Sequence, residues 1–153
     1  MSSTYVYVTY IRTTPQKLWQ ALTSPEFQKQ YWFGMHQESE WKEGATWKLR
    51  FSDGRIADAG KVLEIDPPKR LVLEWRNEFR PELKEEGPAR CVYELEQVED
   101  AVKLTISHTS PRESSKVIEA VSGGWPKVLS SLKSLLETGT PLSAIHPAPK
   151  ASA

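Results

Sequence analysis

The sequence predicts an α+β fold in which an antiparallel sheet is covered by one long C-terminal helix. Between Trp47 and His108, apolar and polar residues alternate in several short runs, which is typical of strands with one buried face. From Val117 to Thr140, apolar residues recur instead every three or four positions, as on one face of an amphipathic helix. A helix that follows antiparallel strands buries its apolar face most simply by lying across their sheet.

One strand and two short helices are expected at the start of the chain. The run from Tyr5 to Ile11 is aromatic and β-branched, which favours a strand. Pro15 and Pro25 each follow a threonine or serine, and these pairs indicate helix starts because proline fits the first helical position. Gly34 is expected to end the second helix.

Five further strands are expected, separated by turn residues. They should cover residues 46–51, 56–65, 71–76, 91–96 and 102–108. Asp53-Gly54 is typical of a hairpin turn, and the Pro67-Pro68 pair cannot continue a sheet ladder. The segment from Asn77 to Pro88 is charged, so we expect an exposed, mobile loop that borders the mouth of any cavity.

The amphipathic pattern of the closing helix is interrupted by Gly123-Gly124-Trp125-Pro126. The paired glycines reduce side-chain bulk where helix and sheet meet, which leaves room for a cavity beside Trp125. Residues 143–153 contain too little apolar material to fold and are expected to be a disordered tail after a single domain at 1–142.

Composition argues against several classes of protein. The 20 basic and 20 acidic residues balance, so no net charge attracts nucleic acid or an anionic membrane. No apolar run approaches the ~18 residues of a membrane span, and the N-terminus does not resemble a signal peptide. Cys91 is the only cysteine, which favours a reducing cytoplasm. His36, His108 and His146 lack the spacing of metal ligands and no nucleotide-binding glycine loop occurs, so we expect no metal and no cofactor.

Aromatic residues are the main indication of function. Such residues either fill a core or line a ligand cavity, and the sequence leaves both open. Strand alternation points Tyr93 and His108 into the same interior, where they would be core residues or polar groups that orient a ligand or move a proton. No catalytic residue is assigned. The expected cavity lining is Trp32, Phe33, Trp47, Phe51, Trp75, Tyr93, His108, Trp125, Leu129 and Leu132.

Several short motifs together resemble a known family. They are residues 15–23, Tyr31-Trp32-Phe33-Gly34, residues 60–71, residues 104–108, and Gly124-Trp125-Pro126 with the leucines that follow. Their order and spacing over residues 4–142 are similar to the START-like superfamily with the helix-grip fold, and more narrowly to the family named after the C-terminal domain of the heat-shock protein 90 ATPase activator. One departure is Glu43-Gly44-Ala45, where many members carry a Gly-Gly pair. The resemblance implies a curved antiparallel sheet wrapped around the C-terminal helix, with two short helices after the first strand.

The predicted function is a cytoplasmic protein that binds a small apolar or aromatic molecule between the sheet and the C-terminal helix. Two alternatives stay open. The family name suggests a protein-interaction module that assists a chaperone. A cyclase- or hydrolase-like enzyme would instead use His108 and Tyr93 in the same cavity. Neither nucleic acid nor membrane is an expected partner, and both a monomer and a homodimer are compatible with the sequence.

Overall fold

The computed structural model describes residues 2–142, and in it one seven-stranded antiparallel sheet wraps around a long C-terminal helix. The elements in chain order are β1 (Ser3–Ile11), α1 (Pro15–Thr23), α2 (Pro25–Tyr31), β2 (His36–Ser39), β3 (Thr46–Arg50), β4 (Ile56–Asp66), β5 (Arg70–Asn77), α3 (Pro81–Lys84), β6 (Ala89–Val98), β7 (Ala101–Ser110) and α4 (Lys116–Thr138). The sheet order is β1-β7-β6-β5-β4-β3-β2. The predicted helix-grip architecture is therefore confirmed.

The first two helices begin at the predicted prolines. Thr14 caps α1, since its hydroxyl accepts a hydrogen bond from the Lys17 backbone N–H at 3.2 Å. Ser24 precedes α2, but its hydroxyl donates to the Glu26 carboxylate and does not cap the backbone. Gly34 has a positive φ of 90° just after α2, so glycine ends this segment as predicted.

The C-terminal helix is one long helix, as predicted, although its pattern is interrupted at residues 123–126. α4 runs without interruption and ends at Gly139, which takes the left-handed conformation of a helix C-terminus. Pro126 lies inside it and lacks the N–H of one helical hydrogen bond, yet the buried Trp125 and Val128 hold the helix against the sheet on either side. A Cβ atom on either Gly123 or Gly124 would meet no atom within 4 Å. The glycines therefore border open space and are not a close contact between helix and sheet.

The segment between β5 and β6 is docked on the protein, so the expectation of an exposed loop is wrong for part of it. It contains α3, and the Leu83 side chain of α3 packs against Val117 near the start of α4. The Glu86 carboxylate accepts hydrogen bonds from the Ser115 hydroxyl at 2.7 Å and the Lys116 backbone N–H at 2.8 Å. One buried leucine among charged residues is a weak signal in the sequence, and α3 was missed for that reason.

The short strand β2 was also missed. It reads His-Gln-Glu-Ser and carries no apolar side chain, so it lacks the alternation that indicates a strand. It pairs with β3 at the edge of the sheet and turns Gln37, which is 1% exposed, toward the interior. This edge strand supplies one of the polar groups of the site described below.

The core lies between the inner face of the sheet and α4. It includes Tyr93 of β6 and His108 of β7, the two residues predicted to face the interior. The carboxylates of Glu64 and Glu94 lie on the outer face, where both pair with Arg70 at 3.4 and 2.9 Å. None of the helices within residues 2–142 is long and apolar enough to cross a membrane. The predicted tail at 143–153 lies outside the described residues.

Candidate functional site

Four indole rings meet between the sheet and α4. Trp32 directly follows α2, Trp47 lies on β3, Trp75 on β5 and Trp125 on α4. The ring centroids are 4.4 Å apart for Trp47 and Trp75, and 5.6 Å apart for both Trp32–Trp125 and Trp75–Trp125. All four residues are buried. We call this group the indole layer.

The backbone explains why two of these indoles touch although they lie on non-neighbouring strands. Trp47 pairs with Gly60 of β4, and Gly60 pairs in turn with Trp75 of β5. Because glycine adds no side chain between them, the two rings meet across β4. A Cβ atom on residue 60 would also lie 1.7 Å from the Glu74 carbonyl oxygen, so this position cannot take a larger residue without moving the strands.

His108 lies on β7 against the indole layer and is completely buried. Its Nδ1 accepts a hydrogen bond from the Trp125 indole N–H at 3.2 Å. Burial lowers the pKa of His108 to about 4, so the ring is neutral at pH 7 and its one proton is on Nε2. Among residues 2–142, this Nε2 has no hydrogen-bond partner.

Tyr93 lies on β6 and presents a second polar atom to the same interior. Its ring is 5.8 Å from that of Trp125 at an angle of 88°. Its hydroxyl is buried and finds no partner within the part of the chain that the structure describes. Burial raises the pKa of Tyr93 well above its usual value, and the nearby Gln37 amide acts in the opposite direction. Tyr93 is therefore protonated at pH 7.

Gln37 of β2 supplies a third polar group, which the sequence analysis did not identify. Its Oε1 accepts the Trp47 indole N–H at 2.8 Å. Its backbone N–H donates to Gln28 Oε1 at 2.6 Å, and the Gln28 amide in turn donates to the Leu22 carbonyl. The Gln37 Nε2 group has no partner among the described residues. Gln28 lies three positions before Tyr31 and therefore on the same face of α2, and this spacing is the one sequence signal that could have revealed this chain of hydrogen bonds.

Asp58 is buried as well, although it is an ionisable residue that the expected cavity lining does not include. It lies on β4, where it pairs with Leu49, and Leu49 also pairs with Gln37, so these side chains share one face. Burial raises the pKa of Asp58 to about 7, the Trp75 indole N–H lowers it, and the Glu78 charge raises it further. Asp58 breaks the alternation of β4, which explains why it was missed.

The remaining predicted lining residues do not all join the layer. Leu129 and Leu132 of α4 are buried in the same core. Phe51 contacts Phe79 at 5.0 Å, and the Arg55 guanidinium lies 4.8 Å from the Phe51 ring. Phe33 is only partly buried against the core. The structure therefore brings together Trp32, Trp47, Trp75, Tyr93, His108 and Trp125, with Leu129 and Leu132 in the core around them.

Two surface grooves lie elsewhere, on the outer face of the sheet. One of about 310 Å³ is lined by residues that include Glu74 and Arg76, and one of about 390 Å³ by residues that include Glu94 and Lys103. Neither lining contains an aromatic ring. An apolar or aromatic molecule therefore has no matching surface in these grooves.

His108 and Tyr93 are suited to hydrogen bonding more than to proton transfer. His108 is neutral with its Nδ1 already engaged, and Tyr93 is protonated, so neither offers a free base at neutral pH. Burial also raises the pKa of the Cys91 thiol, which keeps it from acting as a thiolate. Within residues 2–142, no group of three or more His, Cys, Asp or Glu side chains is placed to hold a metal ion.

Comparison with known proteins gives a family match. Residues 12–137 match the family described as Activator of Hsp90 ATPase homolog 1-like protein. No curated protein matches the chain. Among solved structures, the Aha1 dimer from Colwellia psychrerythraea is 24% identical with a TM-score of 0.71, covering 90% of this chain and 98% of the other.

Two further solved structures share the fold. A protein from Mesorhizobium loti is 21% identical with a TM-score of 0.75, and the match covers 88% of this chain and 96% of that one. An HSP90 activator from Plasmodium falciparum is 21% identical with a TM-score of 0.71, and the match covers 87% and 95% of the two chains. At these identities, the solved structures support the fold alone.

Proposed function

The chain belongs to the Activator of Hsp90 ATPase homolog 1-like family, and from this premise we propose that it binds a small apolar or aromatic molecule between the sheet and α4. The observation that carries the proposal is the indole layer, in which four tryptophans meet beside polar atoms that lack partners among the described residues. Binding sites for small molecules typically combine apolar and aromatic walls with a few polar groups in this way.

Entry of a ligand requires one ring of the layer to move, since the rings contact one another. Trp32 is the best candidate because it belongs to no strand and directly follows a short helix. The next two residues, Phe33 and Gly34, both have positive φ, so the chain turns sharply after the ring. Rotation of the Trp32 side chain would open a space the size of an indole between α2 and α4.

Binding is tested with fluorene, a flat hydrocarbon slightly larger than an indole. In ¹H–¹⁵N NMR spectra, the indole N–H signals of the four layer tryptophans should shift saturably. Trp19 and Trp41 lie outside the layer and serve as internal controls. Absence of a saturable shift, or equal shifts of all six indoles, would contradict the proposal.

A variant tests whether fluorene is held by stacking on an aromatic ring and not only by apolar surroundings. Trp125→Leu should weaken fluorene binding about 3- to 10-fold, since it removes the ring that faces the space left by Trp32. The matched control is Trp19→Leu on α1, which should leave the affinity unchanged. Calorimetry should also give a negative heat capacity change, because apolar surface is buried.

A second candidate function is assistance of a heat-shock protein 90 chaperone. It is favoured by the family description and by an apolar strip on the outer face of the edge strand β1. In that strip Val6, Val8 and Tyr10 are 55%, 42% and 50% exposed. Exposed apolar groups that lie side by side on a surface often mark an interaction site. Either function would operate in the cytoplasm, in agreement with the single, buried Cys91.

The chaperone function has a direct test in the ATPase rate of purified heat-shock protein 90. The wild-type chain should raise that rate, and a Val8→Thr, Tyr10→Thr double variant should raise it less while it keeps strand propensity. Tyr93→Phe, which alters only the interior, should act like wild type. Failure of the wild-type chain to change the rate would reject this candidate.

A further inference from the structure

Three buried polar atoms in and beside the indole layer lack partners among residues 2–142. They are His108 Nε2, the Tyr93 hydroxyl and Gln37 Nε2. A fourth such atom, His36 Nδ1, belongs to the residue that precedes Gln37 on β2 and therefore points to the other side of the sheet. Buried polar groups normally have partners, so three in one place require an explanation.

Each of the three can donate a hydrogen bond, and two can only donate. The Trp125 indole N–H occupies Nδ1 of His108, which leaves Nε2 as the atom that carries the proton. The Trp47 indole N–H occupies Oε1 of Gln37, which leaves only the amide NH₂. The two indole N–H groups thus occupy the acceptor atoms of His108 and Gln37, and the Nε2 donors of both residues stay without partners among the described residues.

The three groups face the same interior. His108 pairs with Cys91, two residues before Tyr93 on β6, so both rings face the same interior and both contact the Trp125 ring. The Gln37 amide is near enough to Tyr93 to act on its pKa. Three strands, β2, β6 and β7, thus each present a hydrogen-bond donor to this interior.

The environment favours a neutral acceptor over an anion. None of the buried residues within 2–142 is lysine or arginine, and the buried Asp58 lies on the same face as Gln37. An anionic group would therefore be desolvated without a countercharge. Burial keeps both His108 and Tyr93 uncharged.

We infer that the molecule bound in the indole layer is an uncharged aromatic carbonyl compound, such as a fused-ring ketone or quinone. Its oxygen accepts hydrogen bonds from His108 Nε2, the Tyr93 hydroxyl and the Gln37 amide, and its rings stack in the layer. This inference rests on the proposed ligand-binding function and adds the chemical class of the ligand to it.

The test compares three probes that share one ring system: fluorene, 9-fluorenone and fluorene-9-carboxylate. Fluorenone differs from fluorene only by a carbonyl group, and it should bind on the order of tenfold more tightly because it satisfies unpaired donors. The carboxylate should bind more weakly than either. The carbonyl stretching frequency of bound fluorenone should fall relative to that in an apolar solvent.

Two tyrosine variants assign the effect to the site. Tyr93→Phe should reduce the affinity for fluorenone several-fold, raise the stretching frequency of the bound carbonyl and leave the affinity for fluorene unchanged. Tyr31→Phe is the matched control, because the Tyr31 hydroxyl already donates to the Ala21 carbonyl at 3.0 Å. That control should leave both affinities unchanged.

The outcomes separate the two proposals. If fluorene binds and fluorenone binds no more tightly, the inference about the carbonyl is overturned while ligand binding stands. Tighter binding of the carboxylate than of fluorenone would also overturn it. If none of the three probes binds, the proposed function fails and the inference fails with it.

Discussion

Two buried tyrosines in this protein differ in what their hydroxyl groups contact. Tyr31 donates to the Ala21 carbonyl at 3.0 Å, whereas the Tyr93 hydroxyl is buried without a partner among the described residues. Tyr31→Phe should lower the free energy of unfolding by about 1 kcal/mol, since it removes a hydrogen bond and leaves a carbonyl unpaired. Tyr93→Phe should leave that free energy unchanged or raise it. Urea denaturation measures both, and an equal loss in the two variants would show that Tyr93 has a partner such as bound water.

At the residue scale, the inward direction of site residues that fit the alternation of a strand is predictable from sequence. Strand alternation places Tyr93 and His108 in the interior because side chains alternate across a sheet, and both are buried there. The same pattern does not reveal Gln37 and Asp58, since a polar residue on the inner face breaks the alternation. Their burial depends on contacts across β2, β3 and β4, which no local pattern in the sequence expresses.

At the element scale, alanine in place of a helix glycine and alanine in place of a strand glycine should change the free energy of unfolding in opposite directions. Gly123 lies in α4 and is exposed, and no atom lies within 4 Å of the position that a Cβ would take there. Gly123→Ala should therefore raise the free energy of unfolding by about 0.5–1 kcal/mol. Gly60→Ala should lower it by more than about 2 kcal/mol, since the new Cβ would lie 1.7 Å from the Glu74 carbonyl oxygen. Denaturation of both variants checks this, and stabilisation by Gly60→Ala would contradict the described pairing of β4 with β5.

The start of α4 depends on a carboxylate from the segment that follows α3. Burial alone would raise the pKa of Glu86, but hydrogen bonds from Ser115, Lys116 and Val117 hold it below its usual value. A negative charge at a helix N-terminus is favourable, so Glu86→Gln should lower the free energy of unfolding by about 1 kcal/mol. The same variant should speed amide hydrogen exchange in residues 81–88. The exposed neighbour variant Glu85→Gln is the control and should change neither quantity.

The elements themselves are predictable to different degrees for physical reasons. Strands with one buried face and helices that start at a proline carry strong local signals, so β1, α1, α2 and the strands from β3 to β7 are recognisable in the sequence. The four-residue elements β2 and α3 contain too few apolar residues to show a period. The long helix α4 is recognisable from its apolar period, and packing against the sheet outweighs the local preference of Pro126.

At the scale of the whole molecule, two buried ionisable groups affect stability in opposite directions. The pKa of Asp58 is raised to about 7 and that of His108 is lowered to about 4, in each case mainly by burial. Between about pH 4 and 6.5, the folded protein keeps a proton on Asp58 and leaves His108 neutral. The unfolded chain does the reverse, because its aspartate titrates near 3.9 and its histidine near 6.5. Both states then hold the same number of protons on this pair, so the pair adds no pH dependence to stability in that range.

Asp58→Asn should make the contribution of His108 to the pH dependence of stability measurable, because Asp58 cancels that contribution in the wild type. In the variant, only the unfolded state binds a proton at this pair between about pH 4 and 6.5, so the free energy of unfolding should rise with pH. The folded pKa of His108 lies about 2.5 units below the unfolded one, which corresponds to a rise of about 3 kcal/mol over that interval. Urea denaturation of wild type and variant at several pH values measures this rise. The exposed carboxylates are common to both proteins, so subtracting one curve of unfolding free energy against pH from the other removes most of their contribution. Parallel curves for the two proteins would mean that Asp58 is ionised in the fold, and the polar end of the indole layer would then carry a negative charge.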